Sequence, residues 1–217
     1  GINAEYGEMF PFIYVSQQMQ GFDVSYFEGD IKQSSYDCLK KNGMDFAIVE
    51  IYVHTFINEF AIRDYQRAKA AGFKRIDFYH YPSNKQDPRQ QIRDSVNHLK
   101  QNNAMDFGMF WIDVEERDYY QNNCPANRKM VEELVDEAIK QLPDGKKRIG
   151  IYASKHMWDM LLCDWEGLKE YPLWYPHYDK DPSYNDFVPF GGWTKPDMKQ
   201  YTNTHPMCGT EIDNDII

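Results

Sequence analysis

The sequence lacks several features that would place it in other classes of protein. Basic residues are few, with 24 Lys and Arg against 34 Asp and Glu, so the formal net charge is −10. Such an acidic surface argues against nucleic acid and anionic membranes as partners. No apolar run approaches the ~18 residues that a membrane span needs, which predicts a soluble protein. We expect a monomer with neither kind of partner.

Common nucleotide and metal motifs are also missing. Neither G-x-G-x-x-G after the first predicted strand nor GxxxxGK[ST] occurs, which disfavours Rossmann and P-loop folds. The four cysteines are Cys38, Cys124, Cys163 and Cys208. They form no CxxC pair, which excludes zinc ribbons and thioredoxin-like motifs. Their even number permits three disulfide pairings in an oxidising compartment, and free thiols in a cytosolic protein are the alternative. No HxH or HExxH accompanies His80 or His177, so we expect no metal and no cofactor.

Short β-rich runs alternate with helical patterns over most of the chain. The predicted strands cover residues 20–25, 45–53, 75–81, 106–115, 148–153, 172–175, 199–201 and 211–216. The predicted helices run over 58–71, from Asp87-Pro88, through the apolar stripe at 130–142, and after Ser154. This order predicts parallel β/α units with right-handed crossovers. We favour an irregular (β/α) TIM-like barrel with a helix-poor C-terminal third over an open doubly wound sheet.

Carboxylates follow the most apolar predicted strand. Asp113 and Glu115 are two positions apart, so their side chains point to the same face of a strand. Two partly desolvated carboxylates this close cannot both ionise easily, and one pKa should rise. A protonated acid beside an ionised partner is what cleavage of a glycosidic bond requires. A solvated acidic loop is the alternative, because Glu116 and Asp118 follow directly.

Other acidic residues lie inside predicted strands. Asp23 lies in the first and Asp213 in the last, and closure of a barrel would make these strands neighbours. The two carboxylates are therefore expected to converge. For Asp77 and Glu50 we expect a structural role, as salt-bridge partners of nearby Arg or Lys.

Aromatic residues make up 16% of the chain and are weighted towards tyrosine, which indicates a wet binding surface such as one for carbohydrate. Several lie at or near the predicted C-terminal ends of strands, where rings can stack on sugars. The candidates are Tyr79, Tyr81, Tyr152, Trp174, Tyr178 and Tyr201. For each ring taken singly, packing within the barrel is the more common fate.

An ordered set of short motifs resembles the glycoside hydrolase family 25 lysozymes, the Chalaropsis-type muramidases. The matching segments are Gly21-Phe22-Asp23-Val24-Ser25, Tyr79-His80-Tyr81, Asp113-Val114-Glu115, Leu173-Trp174 with Tyr178, Gln200-Tyr201 and Ile212-Asp213. They extend from residue 21 to the end of the chain. The resemblance implies one catalytic barrel domain over residues 21–217, preceded by an N-terminal extension of unknown role at 1–20.

The resemblance also implies an activity. It implies a retaining lysozyme that hydrolyses the β-1,4 bond between N-acetylmuramic acid and N-acetylglucosamine in the glycan strands of peptidoglycan. By analogy, Glu115 is the general acid, and Asp113 holds the substrate's 2-acetamido group while that group attacks C1. Asp23 and Asp213 complete the acidic cleft, and Gln200 joins the aromatic residues in substrate binding.

Three segments depart from the family pattern, and in one of them Pro176 replaces a small residue that is usual between the Trp and the Tyr. The closing Asp-x-Asn is Asp213-Asn214-Asp215 here, and Glu50-Ile51-Tyr52 stands where a basic residue followed by Ala-Thr is usual. The altered second-strand residues motivate the alternative of a non-catalytic glycan-binding protein on the same scaffold. The first residues show no signal-peptide pattern, so we expect a mature form in a secreted, lysosomal or digestive setting.

Overall fold

The structure is a computed structural model, and it describes residues 18–217. Most of the predicted N-terminal extension, residues 1–17, lies outside the described residues. The first strand begins at Gln20, one position before the predicted start of the barrel domain. The division into an extension and a single domain stays a prediction. Among residues 18–217, no helix is both long and apolar enough to span a bilayer.

Eight strands close into a barrel. The strands of the described chain are β1 (Gln20–Val24), β2 (Phe46–Val53), β3 (Phe56–Ile57), β4 (Arg75–Tyr81), β5 (Phe110–Asp113), β6 (Ile149–Tyr152), β7 (Leu173–Pro176), β8 (Met198–Gln200), β9 (His205–Met207) and β10 (Thr210–Ile216). β1 pairs with both β2 and β10, which closes the ring β1-β2-β4-β5-β6-β7-β8-β10. β3 and β9 are short antiparallel partners of β2 and β10. The predicted barrel is therefore confirmed.

One barrel strand runs against the others. β10 is antiparallel to both of its neighbours, β8 and β1, whereas the remaining neighbours in the ring are parallel. Residues near the start of β10 therefore lie at the same rim as the carboxyl ends of the other strands. This reversal brings Asp213 of β10 into register with Asp23 of β1, as the closed barrel predicted.

The helices cover the outside of the barrel and stop early. They are α1 (Gln33–Lys41), α2 (Ala61–Ala70), α3 (Pro88–Gln101), α4 (Cys124–Gln141), α5 (Gly145–Arg148) and α6 (Lys155–Leu162), with 3₁₀ turns at Tyr26–Glu28 and Arg117–Tyr119. No α-helix occurs between residues 163 and 217, so the helix-poor C-terminal third is confirmed. The helices bury apolar faces against the outer surface of the sheet.

A separate, aromatic core fills the barrel interior. It contains Phe46, Ile48, Tyr79, Trp111, Tyr152, Trp174 and Met198. Gly150 of β6 lies against the Trp111 ring, so closely that a Cβ at this position would overlap it. The absence of a side chain at Gly150 thus makes room for the large indole. The aromatic rings of this inner core form the floor beneath the polar residues at the rim of the barrel.

Helix starts follow the predicted capping residues in two cases and differ in a third. Asp87 accepts a hydrogen bond from the Gln90 N–H at 2.8 Å, and Ser154 accepts one from the Met157 N–H at 3.1 Å. The helix predicted from Asn58 begins instead at Ala61. Asn58 donates to the Glu50 carbonyl at 2.8 Å and accepts from the Phe60 N–H, so it holds the preceding turn to β2.

Other boundaries differ for similar local reasons. The strand predicted at 106–115 is only Phe110–Asp113, because Asp106 faces solvent and pairs with Lys69. α1 was not predicted, since Tyr36 and Leu39 are its only large buried apolar residues. The cysteines form the pairs Cys38–Cys208 and Cys124–Cys163, so the free-thiol alternative is wrong.

Candidate active site

The carboxyl ends of the strands surround a cavity of about 250 Å³. Its lining consists of Asp23, Tyr79, Asp113, Glu115, Tyr152, Trp174, Tyr178, Gln200, Asn203 and Asp213. All the predicted site residues except Tyr81 and Tyr201 are among them. Asn203 is the one lining residue that the sequence did not indicate, because it lies in the loop between β8 and β9 without any recognisable pattern.

Asp113 and Glu115 project into this cavity from the end of β5. The Val114 N–H donates to the Tyr152 carbonyl at 2.8 Å, so pairing with β6 continues one residue beyond the strand. Val114 is fully buried in the outer core, which leaves its two neighbours on the inner face. The extended backbone therefore places both carboxyl groups in the same cavity.

The two carboxyl groups share an environment that disfavours charge. Burial raises the pKa of Asp113 well above its usual range, and the adjacent Glu115 raises it further. Burial also raises the pKa of Glu115, although the hydrogen bond with Asp113 opposes this effect. Among residues 18–217, Asp113 Oδ1 has no hydrogen-bond partner. Among the described lining residues no basic side chain neutralises the pair, so it retains a proton far more readily than exposed carboxylates do.

A second pair of carboxylates lies across the cavity on β1 and β10. Asp23 and Asp213 are register partners, and the Gln200 amide nitrogen donates to both, at 2.8 Å and 3.1 Å. Burial, followed by the charges of Asp215 and Asp213, raises the pKa of Asp23 well above its usual range. Burial raises the pKa of Asp213 to about 6. This side of the cavity is therefore uncharged in part under mildly acidic conditions.

Gln200 also fixes two tyrosines. Its amide oxygen accepts hydrogen bonds from the Tyr152 hydroxyl at 2.5 Å and from the Tyr178 hydroxyl at 3.0 Å. With carboxylates on its nitrogen and hydroxyls on its oxygen, the amide has a single favourable orientation. Gln200 thus links four residues that line the cavity.

Two further acids lie buried next to the cavity. Glu50 accepts a hydrogen bond from the Tyr26 N–H at 3.0 Å and is hydrogen-bonded to Tyr79, and burial raises its pKa to about 8. It forms no salt bridge with any residue of 18–217, so the predicted basic partner is wrong. Asp215 accepts from the Trp174 indole N–H at 2.9 Å and is completely buried beside Asp23, outside the cavity lining.

Asp77 has the structural role that the sequence predicted. Its carboxylate lies 3.1 Å from Arg75 and accepts hydrogen bonds from the Met109 N–H and the Trp111 indole. These contacts hold the segment that leads into β5. Asp77 therefore positions the strand that carries Asp113, without facing the cavity.

The six aromatic candidates separate into four groups, of which Tyr178 alone lines both this cavity and a neighbouring one. Tyr79, Tyr152 and Trp174 form the floor of the cavity, with the last two rings 4.5 Å apart. Tyr201 lines a neighbouring cavity, and its hydroxyl donates to Gln20 at 2.9 Å. Tyr81 packs against His54 and Tyr119 and lines neither cavity.

Neither histidine singled out in the sequence lies in the cavity. His80 is fully buried between the barrel and α3, hydrogen-bonded to Ser95 and Gln91, and burial lowers its pKa to about 3. His177 lies near Asp179 and Asp186, and their ligand atoms fall within 4.8 Å of one another.

The ammonium of Lys199 lies against this second cluster. It is completely buried, 2.9 Å from Asp179 and 2.7 Å from Asp186, and it also donates to the carbonyls of Asp181 and Ser183. A resident positive charge already compensates these oxygens, so the donor set does not favour an additional metal ion.

Comparisons with known proteins agree with this geometry. The model of the family described as "Lysozyme-like protein 1" matches residues 16–201. The chain is 34% identical over 196 residues to the "Probable GH family 25 lysozyme 5" of Dictyostelium discoideum, which covers 89% of this chain and 88% of the relative.

Solved structures share the fold. The bacterial lysozyme from Streptomyces coelicolor superposes with a TM-score of 0.72 at 19% identity, covering 92% of each chain. The modular autolysin LytC from Streptococcus pneumoniae, solved in complex with a synthetic peptidoglycan ligand, superposes with a TM-score of 0.73 at 16% identity. That match covers 92% of this chain and 46% of LytC.

Proposed function

The chain belongs to the glycoside hydrolase family 25 lysozymes, and from this premise we propose that it cleaves the β-1,4 bond between N-acetylmuramic acid and N-acetylglucosamine in peptidoglycan, with retention of configuration. As a member of that family it is a glycoside hydrolase. The observation that carries the proposal is the pairing of Asp113 with Glu115 in a cavity whose described lining contains no basic residue. The binding of a peptidoglycan ligand to LytC supports the choice of substrate.

In the proposed first step, Glu115 donates a proton to the glycosidic oxygen as the bond to C1 breaks. The oxygen of the substrate's own 2-acetamido group attacks C1, and Asp113 orients that group and stabilises the positive charge it acquires. In the second step a water attacks C1 from the vacated side, and Glu115 takes its proton. Two inversions at C1 give net retention.

The other lining residues have supporting roles in this proposal. Asp23 and Asp213, held by Gln200, form the acidic wall opposite the Asp113–Glu115 pair. Tyr79, Tyr152, Trp174 and Tyr178 offer ring faces and hydroxyls to the sugars. We assign Tyr201 to an adjoining subsite and give Tyr81 no direct contact with substrate. The two disulfides fit an oxidising compartment, and we propose a secreted or lysosomal location.

The test is hydrolysis of a defined muropeptide by three variants, with products identified by mass spectrometry and their anomeric form by NMR. We expect Glu115→Gln and Asp113→Asn each to lower kcat by about 10²–10⁴. Glu132→Gln, an equal change on the exposed face of α4, should leave kcat unchanged. Wild-type rates for Glu115→Gln would refute the acid assignment. Binding of the muropeptide by the wild type without any product would instead favour the glycan-binding alternative.

A further inference from the structure

A second cavity, of about 750 Å³, adjoins the catalytic cavity, and Tyr178 and Asn203 line both. The two cavities differ sharply in charge. Within the described part of the chain, the catalytic cavity is lined by four carboxylates and no basic residue. Among residues 18–217, the lining of the second cavity contains no carboxylate, and it includes Lys180 and His205. The chain as a whole has a net charge of −10, whereas the lining of the second cavity carries positive charge.

Lys180 is held in place while its charge stays uncompensated. Its backbone N–H donates to the Tyr201 carbonyl at 3.0 Å. Both neighbouring aspartates have other partners, since Asp179 pairs with the buried Lys199 and Asp181 accepts from the Ser183 hydroxyl at 2.8 Å. Lys180 forms no ion pair within residues 18–217. Its exposed ammonium is therefore available to an anionic ligand.

The rest of the lining offers further hydrogen-bonding groups, some of them on the paired strands β9 and β10. His205 opens β9, where it is paired with Ile212 of β10, and its exposed imidazole can donate a hydrogen bond. Thr202 and Asn214 are hydrogen-bonded to each other at 2.8 Å in the same lining. A ligand that extends from the catalytic cavity past Tyr178 would meet a cation, an imidazole and polar side chains.

We propose that the second cavity binds the carboxylate-bearing peptide stem of the muramic acid residue whose glycosidic bond lies over Asp113 and Glu115. This inference rests on the proposed function, and it assigns a stem preference to the same groove. The volume of about 750 Å³ is within the range of cavities that hold ligands of several hundred daltons. Lys180 recognises a stem carboxylate as a point charge.

A muramic acid residue without a stem also bears a carboxylate, on its lactyl group. The two sources are separated by three glycan oligosaccharides of equal length: one with peptide stems, one without stems, and one with stems whose carboxylates are amidated. The readout is the ratio of kcat/KM for stem-bearing to stem-free oligosaccharide, which does not depend on the active fraction of a preparation. The variants are Lys180→Gln, Lys180→Glu and the control Lys147→Glu, an exposed residue preceding β6 at the opposite end of the barrel.

We expect the wild-type ratio to be about tenfold and to fall about threefold in Lys180→Gln, as is typical of one exposed charge pair. Lys180→Glu should bring the ratio to one or below, amidated stems should do the same in the wild type, and Lys147→Glu should leave the ratio unchanged. A wild-type ratio near one that Lys180→Glu does not alter would overturn the stem site alone. Equal slowing of both substrates by Lys180→Glu would assign the cation to the lactyl carboxylate instead. Failure of the wild type to cleave either substrate would overturn the proposed function itself.

Discussion

The amide nitrogen of Gln200 lies 2.8 Å from Asp23 Oδ2, although 177 positions separate the two residues in the chain. The same nitrogen donates to Asp213, and the amide oxygen accepts from two tyrosine hydroxyls. Asp23 is buried and Asp213 is half-buried beside it, and this amide donates to both carboxylates, which makes their close approach tolerable. Gln200 therefore connects β1 and β10, the strands that close the barrel, to two tyrosines that line the cavity.

We predict that Gln200→Leu lowers the free energy of unfolding by about 1–3 kcal/mol, because four polar groups each lose one hydrogen bond. Its kcat on a muropeptide should fall as well, since Asp23 and Asp213 lose the shared donor that fixes their positions in the cavity. Tyr178→Phe removes only one of the hydroxyl donors and should cost about 1 kcal/mol. Urea unfolding and initial hydrolysis rates check both variants. An unchanged unfolding midpoint for Gln200→Leu would show that the amide is not a structural link.

Buried carboxyl groups predict an unusual dependence of stability on pH. Burial raises the pKa of Glu50 to about 8, of Asp64 to about 7 and of Asp213 to about 6, all far above the ordinary values of 4.5 and 3.8. Such groups bind protons more tightly in the folded protein than in the unfolded chain. Their stabilising contribution is complete below about pH 4 and is lost as the pH rises through each folded pKa.

We therefore expect the free energy of unfolding to fall between about pH 4 and pH 8, by roughly 1.4 kcal/mol per pH unit for each group within its window. Glu50→Gln should flatten the slope from pH 4.5 to 8, whereas Glu132→Gln on the exposed face of α4 should not. Chemical unfolding at several pH values measures this. Stability that rises steadily from pH 4 to 8 would contradict the prediction.

The sequence predicted the structure best where the position of a side chain depends only on its neighbours along one strand. The β4 boundaries and the common face of Asp113 and Glu115 depend only on alternation along one strand. The approach of Asp23 to Asp213 needed one further assumption, closure of the barrel. Gln200 was expected at the site, but its four hydrogen bonds could not be predicted, because their partners lie on β1, β6 and β10 and in the loop after β7. The entry of Asn203 into the cavity could not be predicted either, because it lies in a loop without a periodic pattern. Glu50 shows a different limit, since an acid buried within a strand need not form a salt bridge.

Lys199 gives a third prediction, because its buried ammonium organises the loop that carries Tyr178 and Lys180. Lys199→Met leaves Asp179 and Asp186 without their cation, and we expect a loss of about 3 kcal/mol in unfolding free energy. Lys195→Met, the same change at an exposed position, should have little effect. EDTA should not alter the melting temperature of the wild type, since the ammonium already compensates these oxygens. A clear drop in melting temperature with EDTA would mean that a metal ion shares this cluster.

The two disulfides differ in what they connect, and this difference predicts their relative importance. Cys38–Cys208 ties α1 to the turn between β9 and β10 and closes a loop of 170 residues, whereas Cys124–Cys163 joins the start of α4 to the end of α6 across 39 residues. The entropy lost by the unfolded chain grows with loop length, and it corresponds to about 5 kcal/mol for the first bridge and about 4 kcal/mol for the second. Replacing both cysteines of a pair by serine should therefore destabilise the protein more at 38 and 208 than at 124 and 163.

Loss of the Cys38–Cys208 bridge should also lower activity at temperatures below global unfolding, because β10 carries Asp213 and closes the barrel against β1. Melting curves and hydrolysis rates of the two double variants test this prediction. A larger loss of stability in the 124/163 variant would show that the anchoring of α6 contributes more than the anchoring of β10.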